Sequence, residues 1–215
     1  MRPGRVGEVH CALLGGALGL ALLTPIAGFA DEPAAAPRLS WETGEGKSYL
    51  VPALEVGGFL LGLNQFDRHV ISRETYGTDA DSIWKNLTSS VVIDHDPFSV
   101  NQLGHPYQGS IYYGLGRSSG LNYWQSLLYT LAGSFLWETA GETSPPSLND
   151  HIASGIAGTF VGEPLFRMAS LLLEGGGERP GFWRELAAAV LSPPTGFNRL
   201  VFRDRFAAVF PSRNP

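Results

Sequence analysis

The chain has 215 residues, a formal net charge of −5, 44% hydrophobic residues and only 16% charged ones. A soluble domain usually carries about a quarter charged residues, so this chain has little to show to water, and an acidic balance without a Lys/Arg block argues against nucleic acid as a partner. The 27 Gly and 15 Pro predict many local stops, and the length suits one domain with its own core.

Residues 1–30 read as a bacterial secretory signal. Arg2 and Arg5 precede the apolar run CALLGGALGLALL, and Gly28 and Ala30 are small residues placed for cleavage before Asp31. The run falls short of the ~20 residues that a membrane anchor needs. The expected location is therefore the periplasm or a cell-envelope membrane. The only cysteine, Cys11, leaves with the signal, which removes disulfide and thiol chemistry. Residues 31–47, rich in Pro, Ala and Gly, read as a flexible leader. Residues 48–210 read as a single helical domain.

Within it, 48–71 is an apolar helix with Pro52 near its start, and 78–93 is a second helix capped by Asp79 or Asp81. The stretch 94–110, DHDPFSVNQLGHPYQGS, has two X-Pro pairs and two glycines and reads as a loop, or a loop leading into a helix. Residues 111–120 extend it as a short helix broken at Gly120. The clearest helix is 121–142, with Ser126, Thr130, Gly133, Ser134, Trp137 and Gly141 on one stripe. Ser147 and Asp150 have capping-box spacing at the start of the next helix, which runs to Glu174. Gly155, Gly158 and Gly162 form a second small-residue seam there, and two such seams are expected to approach each other closely. After the break GGGERPG, 182–193 is a short amphipathic helix, and a segment with Arg199, Arg203 and Arg205 among aromatics follows. The fold class is thus mainly α: a compact bundle of Gly-rich, closely packed helices with a membrane as its expected neighbour. Neither 121–137 nor 152–173 is a clean span of ~20 apolar residues.

The scarce polar groups are Asp94, Asp96, Asn101, Gln102, His105, Tyr107, Arg117, Glu138, Glu142, Asp150, Glu163 and Arg167. A buried charge without a partner is costly. Glu138 and Glu142, four apart, either lie at a wet helix end, pair with Arg117 or Arg167, or form an acid/base or metal site in which repulsion raises one pKa. His105 is either held by backbone groups or carries protons. Asp150 reads as a helix-start residue, and Glu163 pairs with Arg167 in the favoured order. No serine-hydrolase elbow, zinc motif, phosphate loop or dinucleotide fingerprint is present, so no cofactor is specified.

The segments DHDPFSVNQLGHPYQGSIYYGLGRSSG, GSFLWETAGE, PSLND and GEPLFRM, in this order, resemble a bacterial domain-of-unknown-function family, number 3943, of exported envelope proteins. The resemblance covers roughly 55–205. It points to Asn101, Gln102, His105, Pro106, Tyr107, Gly109, Ser134, Trp137, Glu138, Glu142, Pro146, Ser147, Asp150, Gly162 and Glu163, without implying a reaction.

Three functions compete. The first is a non-enzymatic helical accessory or scaffold protein at or near a membrane, with an envelope component as partner. The second is an envelope hydrolase or transferase on lipid or cell-wall material, using His105 with Glu138 or Glu142 as acid and base. The third is a metal-binding protein using Asp94, His95, Asp96 or His105 with a glutamate. The expected cluster brings Glu138 and Glu142 to His105 and an arginine, beside the small-residue seams. The oligomeric state is not specified.

Overall fold

The computed structural model of the chain describes residues 47–177 and 180–202. The signal at 1–30, the leader as far as residue 46, and Arg203 and Arg205 lie outside the described residues. The described elements are helical: α1 (Leu50–Val70), α2 (Arg73–Tyr76), α3 (Ala80–Thr88), α4 (His105–Ser118), α5 (Tyr123–Leu136), α6 (Leu148–Asp150), α7 (Gly158–Glu174), α8 (Phe182–Leu191) and α9 (Pro193–Val201). Three π-helical segments interrupt this order: Val100–Gly104 before α4, Trp137–Gly141 after α5, and His151–Ala157 between α6 and α7.

Local chemistry explains the ends. Asp79 caps α3 in a reciprocal capping box with Ser82, and Asn122 does the same for α5 with Gln125. Gly120 takes a left-handed backbone (φ 89°) and ends α4. The expected helix over 78–93 is shorter than predicted. It stops at Thr88, and the β-branched run Val91–Val92–Ile93 is extended instead, with Val92 bridging Ser147 in parallel.

The expected loop over 94–110 is corrected more strongly. Pro97 and Pro106 both read as stops, yet the chain turns helical at Phe98 and continues into α4. Pro106 sits in the first turn of α4, where a missing N–H is tolerated. This matters because α4 is the central rod. Ile111, Tyr112, Tyr113, Leu115 and Arg117 are all buried along it.

The two small-residue seams therefore do not simply meet each other; α4 runs between them. A Cβ added at Gly158 would lie 2.6 Å from the Gly109 Cα, and one at Gly109 would overlap the Ser154 carbonyl. Gly162 closes on the Tyr113 ring, Gly133 on the Tyr112 ring, and Gly116 on Ser126, each with room for hydrogen alone. Only Gly155 meets the α5 side directly, against Leu131. The predicted α5 stripe is the buried one: Ser126, Thr130, Gly133, Ser134, Trp137 and Gly141 all face inward.

The opposite stripe of α5 is Trp124, Leu128, Leu131 and Phe135, spaced by four, three and four, with Trp124 70% exposed. The 148–174 run repeats the inversion, with Ile152, Ile156, Phe160 and Leu171 outward. Among the described residues, buried serines, threonines, asparagines and charged groups outnumber buried apolar side chains, while the large apolar side chains are mostly exposed. A water-facing bundle has the reverse polarity.

Candidate functional site

The polar residues gather where the three π segments converge with the 89–97 loop. A backbone bridge sets this up: Val92 N–H donates to the Pro146 carbonyl (2.9 Å) and Leu148 N–H to the Val92 carbonyl (2.8 Å). Asp94 is thereby delivered to the start of α6. There Asn149 uses all of its hydrogen-bonding capacity. Its Oδ1 accepts from Asp94 N–H (3.1 Å) and Ser147 Oγ (2.8 Å), and its Nδ2 donates to Asp94 Oδ1 (2.7 Å) and Asp150 Oδ1 (3.1 Å).

The carboxyls of Asp94 and Asp150 are held side by side by Asn149, which donates to an oxygen of each. Burial and the neighbouring Asp94 push Asp150 up to about 7. Burial also raises Asp94, but the neighbouring Asp150 and the bonds from Asn149 and Asn101 outweigh it and hold Asp94 at about 2. Asp150 is more than the helix-start residue expected of it: only its backbone N–H serves the cap, donating to Ser147 Oγ (3.3 Å).

The other half of that capping box comes from another helix. Ser147 N–H donates to Glu138 Oε2 (2.8 Å), where a local Glu side chain would normally reach back. Glu138 is 4% exposed, and burial drives its carboxyl to about 8 even though the Ser147 bond pulls down. Glu142 follows in extended backbone and is satisfied separately, accepting from the Trp137 indole (2.8 Å) and Ser144 Oγ (3.0 Å). Burial raises its pKa as well.

His105 faces Asp150 (Nε2–Oδ1 3.5 Å) and Ser154 (Nδ1···Oγ 3.2 Å). Burial lowers its pKa, against the pull of Asp96 and Asp94. The expected trio of His105, Glu138 and Glu142 is therefore not a hydrogen-bonded unit. The imidazole is paired with Asp150, because the π turn at 137–141 spends Glu138 on the α6 cap. The expected arginine is absent from this group too. Arg117 and Arg167 both serve Glu163, Arg117 through its Nε at 3.0 Å and Arg167 at 2.6 Å, and the Tyr113 hydroxyl donates to the same carboxylate at 2.7 Å. Arg117 also lies 4.8 Å over the Phe166 ring and donates to the Leu121 carbonyl. The predicted Glu163–Arg167 pair is present, with a third and a fourth member.

Of the remaining expected residues, Asn101 donates to Asp94 Oδ1 (3.4 Å) and joins the acidic group. Gln102 and Tyr107 are exposed and stay outside it. The metal-binding alternative finds no support, since no group of three or more His, Cys, Asp or Glu among the described residues is arranged to hold an ion. Sequence reading missed three asparagines besides underrating Asp94. Asn149 is one. Asn64 donates to the carbonyls of Tyr76 (2.9 Å) and Gly141 (2.8 Å), and Asn86 to that of Glu142 (2.8 Å), so the free carbonyls after α5 are clamped by side chains. For Asn64, an amide inside the apolar α1 was the available signal.

Residues 90–194 match the family described as Domain of unknown function (DUF3943). This segment is a DUF3943 domain. No curated protein matches the chain, and no solved structure does. The DUF3943 segment contains both polar groups, from Asp94 to Arg167, whereas Asn64 and Asn86 reach in from helices before it. Within the domain, Asn149 and His105 tie Asp94 and Asp150 into one buried group, and the Glu163 group locks α4 to α7.

That lock gives a prediction. Glu163→Ala leaves Arg117, which is 5% exposed, as a buried cation without its carboxylate. Removing one partner of a buried pair typically costs about 3–5 kcal/mol. Denaturant unfolding of Glu163→Ala is expected to show a loss of that size, and Arg167→Ala, at the exposed edge of the group, a much smaller one. Equal losses would contradict a lock centred on Arg117.

Proposed function

We propose that this DUF3943 protein is a non-enzymatic helical accessory or scaffold of the bacterial cell envelope that rests its apolar outer faces on a membrane. The observation that carries the reading is the inverted polarity of its helices: on α5 the inward stripe is Ser126, Thr130, Gly133 and Ser134, and the outward stripe is Trp124, Leu128, Leu131 and Phe135. Helices in lipid associate through small and polar residues and turn large apolar side chains outward, and large exposed apolar patches mark membrane or protein contacts. α8 adds Phe182 and Trp183, the latter 76% exposed. One helical run, Leu148–Glu174, is long and apolar enough to cross a membrane, with mean hydropathy 1.3 over its most apolar window. Core helices of other proteins meet the same standard, so the surface carries the reading and this run does not.

The export signal read at residues 1–30 supplies the route. The polar groups serve architecture in this reading. Glu138 caps α6, and Glu163 joins α4 to α7. The hydrolase or transferase alternative depended on His105 acting with Glu138 or Glu142, and His105 is paired elsewhere.

Fractionation of cells expressing the full chain tests this. The protein is expected in the envelope membrane pellet, partly resistant to alkaline carbonate and released by mild detergent. Trp124→Lys combined with Leu128→Lys is expected to move most of it to the soluble fraction while helical content is kept. A wild-type chain found as a soluble monomer would refute the proposal.

A further inference from the structure

A cleft of about 690 Å³ opens between α1, α4 and α9, and none of the acidic group's residues lines it. Its walls include Leu54, Phe59, Leu115, Pro194, Phe197 and Val201. That volume is within the ordinary range for small-molecule sites, which combine apolar walls with very few polar groups. Here Glu55 supplies the only charged side chain among the lining residues.

Glu55 is held from one side. Its Oε2 accepts from Asn198 Nδ2 (3.4 Å) and from Ser119 Oγ (3.5 Å), both long contacts. Its Oε1 is out of solvent and has no donor. Asn198, fully buried beside it, donates to Ser118 and Ser119, yet its own Oδ1 also has no donor. Two neighbouring buried acceptors without a hydrogen are an unmet demand for a donor group, and buried polar groups are rarely left in that state. Neither the bundle lock nor the α6 cap uses them.

We propose that this cleft binds a single-chain amphiphile, its alkyl tail between the apolar walls and its ammonium head donating to Glu55, which Asn198 backs from outside the cleft. An ammonium has three N–H donors and no acceptor, which matches a carboxyl whose Oε1 has no donor and which a cation beside it would hold ionised. The terminal torsion of a glutamate is soft, so Oε1 can turn to the head without moving α1. A carboxylate or phosphate head would set like charge against Glu55 inside low-dielectric walls. The site differs from the membrane-facing stripes and does not depend on them: those are convex and uncharged, whereas this is a cleft with one acid.

Native mass spectrometry of the full chain, released from a neutral detergent, reads occupancy directly with dodecylamine, dodecanol and dodecanoate as probes. Dodecylamine is expected to bind once per chain, at least tenfold tighter than dodecanoate. Two variants separate tail from head. A Cβ at Gly58 meets nothing within 4 Å although Gly58 lines the cleft, so a side chain can start there, and Gly58→Phe is expected to narrow the cleft and weaken both dodecylamine and dodecanol at least tenfold. Glu55→Gln is expected to abolish the preference for the amine and leave dodecanol unchanged. Equal binding of dodecylamine and dodecanoate by the wild-type chain would overturn the proposal, as would no bound dodecylamine. Binding unaffected by Gly58→Phe in a chain that melts normally would place the probes elsewhere and overturn it too. A dimer dissociated by Gly58→Phe would give the cleft to a second copy and count against the amphiphile.

Discussion

The folded chain is expected to lose stability as pH rises from about 4.5 to about 8, and Glu138→Gln to remove much of that loss. The carboxyl of Glu138 moves from 4.5 to about 8 on folding, chiefly through burial. A raised acid favours the fold only while it is protonated. Between the two values the unfolded chain has already released its proton and the folded chain has not, so the unfolded state binds fewer protons and stability falls with pH. At about 1.4 kcal/mol per pH unit, the separation is worth on the order of 5 kcal/mol once the pH exceeds 8. Asp150 and Glu55, each raised to about 7 with burial as the main cause, act in the same direction.

Two effects oppose it. Asp94, held at about 2, contributes stability at neutral pH that is lost only as the medium becomes strongly acid. His105 and His151, both lowered by burial, contribute stability above the ordinary histidine range that weakens as pH falls through it. The acids outnumber these groups, so the net slope is downward. Gln at 138 keeps an oxygen for the Ser147 N–H and cannot ionise. Melting curves of both proteins are expected to coincide near pH 4.5 and to separate by roughly 10 °C near pH 9, using about 2–4 °C per kcal/mol for a chain of this size. A variant less stable than wild type at both pH values would show that the ionised carboxylate is needed.

The second large effect concerns glycine. Gly109→Ala and Gly158→Ala are each expected to abolish the native fold or lower the melting temperature by more than about 10 °C. The reason is geometric. α4 and α7 cross backbone to backbone at these residues, where a methyl at 109 would overlap the Ser154 carbonyl and one at 158 would lie 2.6 Å from the Gly109 Cα. Neither neighbour is the far end of a flexible side chain, so relief requires moving a helix. Overpacking of this kind costs about 1–3 kcal/mol, and more where backbone is hit. Gly57→Ala and Gly62→Ala are the controls. Nothing lies within 4 Å of either added Cβ, and in a helix interior Ala is favoured over Gly by roughly 0.8–1 kcal/mol. Those two are expected to melt slightly higher than wild type. Uniform destabilisation by all four substitutions would refute the close crossing.

These four glycines show where the sequence stops being informative. Gly57, Gly62 and Gly158 lie in apolar stretches and Gly109 in a polar one, and the pattern of 155, 158 and 162 is no clearer in the text than that of 57, 58 and 62. Only packing separates a glycine that admits a neighbouring backbone from one that faces open space. The same holds for α4. Pro97, Gly104, Pro106 and Gly109 each argued locally for a loop, and the helix forms because its burial between α5 and α7 outweighs those preferences.

The sequence by itself determined the helical class, the start of α1, the cap at Asp79, the stop at Gly120, the inward face of α5 and the Glu163–Arg167 pair. Each of these depends on residues within about four positions of one another, where periodicity and capping chemistry act. Tertiary structure alone decided that Glu138 would cap α6 and not meet His105, that Asp94 would be joined to Asp150 through Asn149, and that Arg117 would join Glu163. Those partners are nine, fifty-six and forty-six residues apart. The physical reason is that the π turn after α5 re-aims the acidic pair, and a one-residue change in helical register is invisible to a pattern read at a fixed period.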